Sequence, residues 1–260
     1  MIRDLYPLAL AEGEGVGTAY EYFAKRLLLL NWLAKKPAPR VLIAGLPERY
    51  GSSLDFLLLA RELGGRTTII DNRPQALQHL RTALAEASND LPPGREPQCI
   101  LTDDLAQMDE LGPGYDFALS SEVLQRLPQA NRAGYLGRLV ALASQVAIFA
   151  PNADNKAHVG RSGLQAVRLA NLETWLAEGL AAGRGDAAVS SLRTGYVDMP
   201  PFPPGITRSE DERARATTGL LEATAMRGLG WYAQLERFFP RSVRKAQSHI
   251  VYGLVRLSHR

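Results

Sequence analysis

Residues 40–51 read RVLIAGLPERYG. Val41 to Ala44 form an apolar run too short for a helix, the pattern of a strand buried on both faces of a parallel sheet. The run ends at Gly45, and there the stretch departs from a nucleotide-binding turn. Such a turn continues in glycine, because only glycine lets the main chain lie against a ligand. Leu46, Pro47, Glu48, Arg49 and Tyr50 stand in those places instead. Small residues return at Gly51, Ser52 and Ser53, where a helix begins whose free N–H groups and dipole favour a carboxylate. Two readings follow, a rebuilt loop and a degenerate one that binds nothing. Arg49 either pairs with a bound carboxylate or is solvated.

Outward from this strand, strands and helices alternate. Helices are expected over 53–63, closed by Gly64-Gly65, over 74–87 with Pro74 in the first turn, and over 131–143. Strands are expected at RTTIID (66–71), QCILT (98–102), YDFALS (115–120) and QVAIFA (145–150). Before them, 18–35 reads as a helix with Tyr20, Phe23, Leu27, Leu30 and Leu33 or Ala34 on one stripe. Thr18 and Glu21 have the spacing of a capping box, and Pro37 and Pro39 stop the helix. After Pro151 the rhythm breaks. Residues 171–181 read as a helix, 187–198 as a sixth strand, MPPFPPG (199–205) as an extended segment, 208–239 as mostly helix with a weak point at Gly228 and Gly230, and 248–257 as a last strand. The expectation is an α/β fold: a Rossmann-like, doubly wound, mostly parallel seven-stranded sheet with flanking helices and a helical insertion before the last strand. Its parts are an N-terminal helical lid segment (1–37), a main, cofactor-binding domain (38–198), a helical insertion acting as substrate cap (199–244) and the last strand (245–260).

Composition narrows the function. Over 260 residues, 46% are apolar and 22% charged, ordinary for a globular domain, and the formal charge of +3 is small for this length. No Lys/Arg cluster is interleaved with aromatics, so nucleic acid is not expected as a partner. Cys99 stands alone, which rules out an internal disulfide and a cysteine-based metal site and suits a cytoplasmic location. No metal-ligand spacing is found among the four histidines. LLLLNWLA (27–34) is too short to span a bilayer.

In an open α/β sheet, ligands bind beyond the carboxyl ends of the strands. Those ends carry Gly45, Asp71, Asp103 with Asp104, and Ser120 with Ser121 and Glu122. Asp71 is the sharpest of these. A carboxylate there can accept both hydroxyls of a ribose, or it can simply start the next helix as a cap.

The segments VLIAG, TIIDNRPQAL, LTDDLAQM, YDFALSSEVLQRLP and VAIFAPN together resemble the class I S-adenosylmethionine-dependent methyltransferases, over about residues 38–152. The fourth is the most specific, being similar to the family stretch FD-x-x-x-x-SEVLEHL. The resemblance implies S-adenosylmethionine as cofactor. It places Gly45 against the methionine part, Asp71 on the ribose, Asn72 beside the adenine, Asp104 or Asp103 on the adenine amino group and Leu105 against the ring. It turns the Ser120 carbonyl toward the methionine amine, with Glu122 and Val123 close by. The loop after the first strand lacks the family's further glycines.

Other residues carry weaker signals. GEGVG (13–17) follows no strand and reads as an entry segment. Tyr20, on a helix that in similar enzymes folds over the cofactor, either touches it or packs in the core with Tyr22 half exposed. His158 lies past the fifth strand, where it is a general base or a structural histidine; His249 belongs with the last strand. Tyr196, Met199, Phe202 and Ile206, with Trp231, Tyr232, Leu235, Phe238 and Phe239, supply core or a partly apolar pocket. The expected activity is methyl transfer to a small, partly apolar molecule, with a second copy of the chain as a possible partner. The alternative is a methyltransferase-like domain with a degenerate loop that serves as a binding or scaffold protein. A Rossmann oxidoreductase would need G-x-G-x-x-G after the first strand, which is missing.

Overall fold

The computed structural model describes residues 2–34, 36–48, 51–184, 189–202 and 220–258. Seven strands, β1 (Arg40–Ala44), β2 (Arg66–Asp71), β3 (Gln98–Leu101), β4 (Tyr115–Ser121), β5 (Ala143–Pro151), β6 (Val189–Val197) and β7 (Ile250–Leu257), form one sheet in the order β3-β2-β1-β4-β5-β7-β6. The first five pair in parallel. β7 runs antiparallel to both β5 and β6. The strand order reverses between β1 and β4, the topological switch point at which such sheets bind ligands.

Alternation along each strand feeds two cores. Val41 and Ile43 of β1 face one layer and Leu42 and Ala44 the other. The first layer is covered by α1 (Ile2–Ala11), α2 (Val16–Trp32), α3 (Leu54–Glu62), α4 (Pro74–Glu86) and α8 (Leu220–Leu235), and the second by α5 (Gln129–Leu142) and α7 (Leu169–Arg184). Two short helices, α6 (Lys156–Ser162) and α9 (Arg241–Gln247), lie near the carboxyl end of β5 and just before β7.

Several expectations are corrected. The capping box at Thr18 does not form: α2 starts at Val16 with Gly15 as its cap, and the Thr18 hydroxyl donates instead to Glu14. The buried face of α2 runs through Tyr22, Lys25, Leu29 and Trp32, while Leu30 is 49% exposed. The first residues form α1, despite Pro7, because Ile2, Leu5, Tyr6, Leu8 and Ala9 are buried on the sheet side. α8 continues through Gly228 and Gly230 without a break. Ile206 and the expected helix over 208–219 lie outside the described residues.

α5 and α7 cross through glycine. A Cβ on Gly183 would stand 2.3 Å from the Gly137 carbonyl oxygen, and one on Gly179 would stand 2.8 Å from the Ala133 carbonyl oxygen. These atoms are backbone and cannot rotate away. Gly183→Ala is therefore expected to destabilise the protein by about 1–3 kcal/mol in urea unfolding. Gly134→Ala, on α5 with open space around it, should be neutral or stabilising by up to about 1 kcal/mol. Equal effects of the two would refute the close crossing.

Candidate active site

Asp71 closes β2 with no exposed surface. Its Oδ1 accepts from the Arg73 backbone N–H at 2.8 Å and from Arg73 Nε at 2.9 Å. Its Oδ2 accepts from the Leu46 N–H at 2.7 Å, Arg126 Nη2 at 2.7 Å and Arg73 Nη2 at 3.1 Å. A carboxylate offers about four lone-pair positions, so Asp71 is saturated by its own chain. Arg73 Nη2 also donates to the carbonyls of Leu46 and Pro47, at 2.8 and 2.9 Å. Arg126, in the short helical turn Leu124–Arg126 after β4, donates its other amino group to Asn72 Oδ1 at 2.7 Å. Two guanidiniums thus stitch the loop after β1 to the ends of β2 and β4.

Gly45 has φ +77°, and a Cβ there would meet Val123 at 2.7 Å and Leu105 at 3.0 Å. The bare face of this glycine is packed by protein side chains, and Leu105 sits on it rather than apart from it. Leu46 is buried in the core layer beneath α1 to α4, while Glu48 stays exposed. Arg49 and Tyr50 lie outside the described residues.

The start of α3 already holds a carboxylate. Glu12, just past the end of α1, accepts the N–H groups of Ser52 and Leu54 on Oε1 at 2.7 and 3.1 Å, and its Oε2 accepts from the Tyr22 hydroxyl. Gly51 is the small residue this needs: a Cβ there would fall 2.6 Å from the Tyr22 hydroxyl and 3.0 Å from Glu12 Oε2. Burial raises the Glu12 carboxyl to about 7, against the opposing pull of these three hydrogen bonds.

Next to it, Lys25 is buried between Glu21 and Asp55, each 3.0 Å from Nζ. Burial works against its charge, but Asp55 and Glu21 outweigh it and hold its pKa above the usual lysine range. The ring of Phe56 lies 4.8 Å from the ammonium. Glu122 follows β4 with φ +54° and is pushed to about 8 by burial first and by repulsion from Glu21 second. Its Oε2, and Oε1 of the buried Gln125, are enclosed with no hydrogen-bond partner among the described residues. Both are acceptors at the switch point between β1 and β4.

The remaining anticipated residues are placed as follows. Ser120 is buried, with its hydroxyl 2.7 Å from that of Tyr135, which also donates to the Ala44 carbonyl at 2.7 Å. Asp103 is exposed. Asp104 accepts the Ala106 N–H at 2.8 Å and caps its own turn. Tyr20 is buried and donates to Glu236 Oε2 at 3.0 Å, with the rings of Phe202 and Tyr232 each 6.4 Å away. Tyr22 is buried too, rather than half exposed. Trp231 and Phe238 are each 70% exposed and turn away from this chamber. His158 does not stand alone: its ring stacks on His249 at 4.1 Å and 14°. His249 Nδ1 lies 3.1 Å from Asp198 Oδ2. Among the described residues no group of three or more ligating side chains could hold a metal ion.

Sequence reasoning misses Glu12, Lys25, Arg73, Arg126, Asp198, Glu236 and the role of His249. Lys25 was findable, because it shares the spacing of Tyr22, Leu29 and Trp32 on one helical face. The others depend on contacts between distant segments.

Glu12 holds its proton more tightly folded than unfolded. Between its ordinary value of 4.5 and about 7, each rise in pH therefore lowers stability. Glu12→Gln keeps the carbonyl acceptor for Ser52 and Leu54 and removes the titration. The variant should gain on the wild type as pH rises from 5 to 8, by about 3 kcal/mol at most, measured by urea unfolding at each pH. A pH-independent difference between the two proteins would contradict the buried carboxyl.

No protein-family model and no curated protein sequence matches the chain. Solved structures do. The methyltransferase domain of bacterial CtHen1 superimposes in two crystal structures. One gives a TM-score of 0.53 at 16% identity, covering 93% of this chain and 100% of that one. The other gives 0.52 at 15% identity, covering 92% and 98%. The small RNA methyltransferase HEN1 gives 0.52 at 13% identity, covering 90% of this chain and 25% of that one. With the 3-2-1-4-5-7-6 strand order, these superpositions establish that the chain has the class I S-adenosylmethionine-dependent methyltransferase fold.

Proposed function

We propose that the protein transfers a methyl group from S-adenosylmethionine to a small, partly apolar molecule. The observation that carries this reading is the enclosed Glu122 Oε2 at the switch point, with Gln125 Oε1 near it: two oxygens without a partner among the described residues, which a cationic donor would engage while drawing the proton off Glu122. The donor set therefore fits the amino-acid end of the cofactor. Bound there, S-adenosylmethionine would supply a methyl group on a positively charged sulfur. Glu122 and Gln125 would hold its ammonium, and the Ser120 carbonyl would face the same group. At the nucleoside end Asp71 would hold the ribose hydroxyls in exchange for Arg126 at Oδ2, with Asn72, Asp103, Asp104 and Leu105 holding the adenine. Residues 1–37 act as a lid, through Tyr20, and 199–244 as a cap on the acceptor; the Tyr20–Glu236 bond between them supports this division. The protein's share of catalysis is alignment and exclusion of water. A cytoplasmic location is part of the reading, since the half-buried, unpaired Cys99 thiol suits a reducing compartment.

Two observations favour the second reading, a binding or scaffold protein without cofactor. Asp71 is saturated, and the helix start that would take a ligand's carboxylate holds Glu12.

Calorimetry with S-adenosylhomocysteine separates the two. The wild type is expected to bind it, and Asp71→Asn to bind at least ten-fold more weakly. Arg126→Ala should bind several-fold more tightly, because the hydroxyls no longer compete with a guanidinium. Silence from both the wild type and Arg126→Ala would establish the scaffold reading. Since one structural neighbour is the small RNA methyltransferase HEN1, methyl-labelled cofactor is offered with a short RNA beside small phenols and amines; label on the RNA would overturn the small-molecule acceptor.

A further inference from the structure

Asp198, His249 and His158 come from three distant segments and meet on the same rim of the sheet. Asp198 ends β6, His249 precedes β7 and His158 lies in α6 after β5. The contact is built, not incidental. The His249 N–H donates to the Asp198 carbonyl and the Asn152 N–H to the His249 carbonyl, both at 2.7 Å. Side-chain amides of Asn152 and Asn155 hold the carbonyls of Ser248 and Gln247, each at 2.8 Å. These asparagines are the PNADN run that follows the fifth strand. Asp198 adopts φ +67° to reach the ring, a left-handed conformation that aspartate tolerates better than most residues. Its Oδ1 is enclosed without a partner among the described residues, as is His158 Nδ1.

We infer that His249, oriented by Asp198, is the proton acceptor of this site and takes the proton from the acceptor O–H or N–H that is to be methylated. The inference rests on the methyl-transfer reading above. In the step, a hydroxyl or a protonated amine of the acceptor gives its proton to His249 Nε2, and the pair left on oxygen or nitrogen would form the new bond to the methyl carbon as the carbon–sulfur bond breaks and its pair returns to sulfur. Nδ1–H remains on Asp198, whose carboxylate balances the imidazolium charge, and the proton is later lost to water. Asp198 is the positioning residue, fixing the tautomer that leaves Nε2 free to accept. His158 is the ring wall behind His249. Burial, with the like charge of His249, lowers it to about 4, so it is neutral at physiological pH.

The pair lies on the same rim of the sheet as Glu122: the Glu122 N–H donates to the Phe149 carbonyl of β5 at 3.0 Å, and Pro151, two residues further along β5, pairs with Ile250, the neighbour of His249. The charge of Glu21 on α2 bears on His249, Asp198 and Glu122 alike. Glu236 faces His249 from the turn after α8. Burial lowers His249, but Asp198 outweighs it, with Glu21 and Glu236 in support, and the net direction is upward.

The test is modification of the full chain by diethyl pyrocarbonate, which acylates neutral, accessible imidazole nitrogens, with peptide mass mapping. The chain has four histidines, and exposed His79 is the internal control. His249 is expected to react, with a pH midpoint above the ordinary 6.5. Asp198→Asn should lower that midpoint by about one unit or more, and Asp198→Glu should restore it. Saturating S-adenosylhomocysteine should slow His249 several-fold and leave His79 unchanged. An unreactive His249 beside a reactive His79, a midpoint indifferent to Asp198→Asn, or a bound ligand that leaves His249 unshielded would each overturn the inference. Calorimetry on the same samples keeps the readings apart. No heat with the wild type removes the cofactor, while the mapping still decides whether the pair presents an open base.

Discussion

The buried carboxylate of Asp71 is the joint on which the ligand-side edge of the sheet depends. A fully enclosed charge is tolerable only with its hydrogen-bonding capacity filled, and here two guanidiniums and two backbone N–H groups fill it. The same guanidiniums reach the carbonyls of Leu46 and Pro47 and the side chain of Asn72. A loop that in other proteins of this fold is shaped by glycine is shaped in this chain by arginine. That has a chemical cost: anything bound there must replace charge-assisted hydrogen bonds, which are stronger than neutral ones.

Glu12, Glu122 and Glu236 lie beneath or beside α2, and burial raises each of them, to about 7, 8 and 7. Lys25 is the buried cation among them. Such a cluster is poised between neutral and anionic states near physiological pH.

Much of the fold was legible because strand composition is a local property. RTTIID gave β2 to the residue, and Pro74 and Gly64 marked helix ends where they occur. What failed locally failed for a stated reason. Thr18 has the spacing of a cap, but the helix had already begun two residues earlier. The site was legible in its positions and not in its pairings. That Asp71 ends a strand can be read from RTTIID; that Arg126, 55 residues away, lies across it follows only from β4 sitting beside β1. The partnership of His158 with His249 is hidden for the same reason, since it requires β7 to return beside β5.

That return has a temporal side. β7 pairs with β5 through Gln145–Pro151 and with β6 through most of the latter's length, so it lies between two strands made before it. During synthesis β5 presents an unpaired edge, and β6 has no neighbour in the sheet, until residues 250–257 emerge from the ribosome. Long-range pairing of this kind folds slowly and leaves edges open to other chains. β7, the last of the seven strands to be made, acts as the keystone of the sheet.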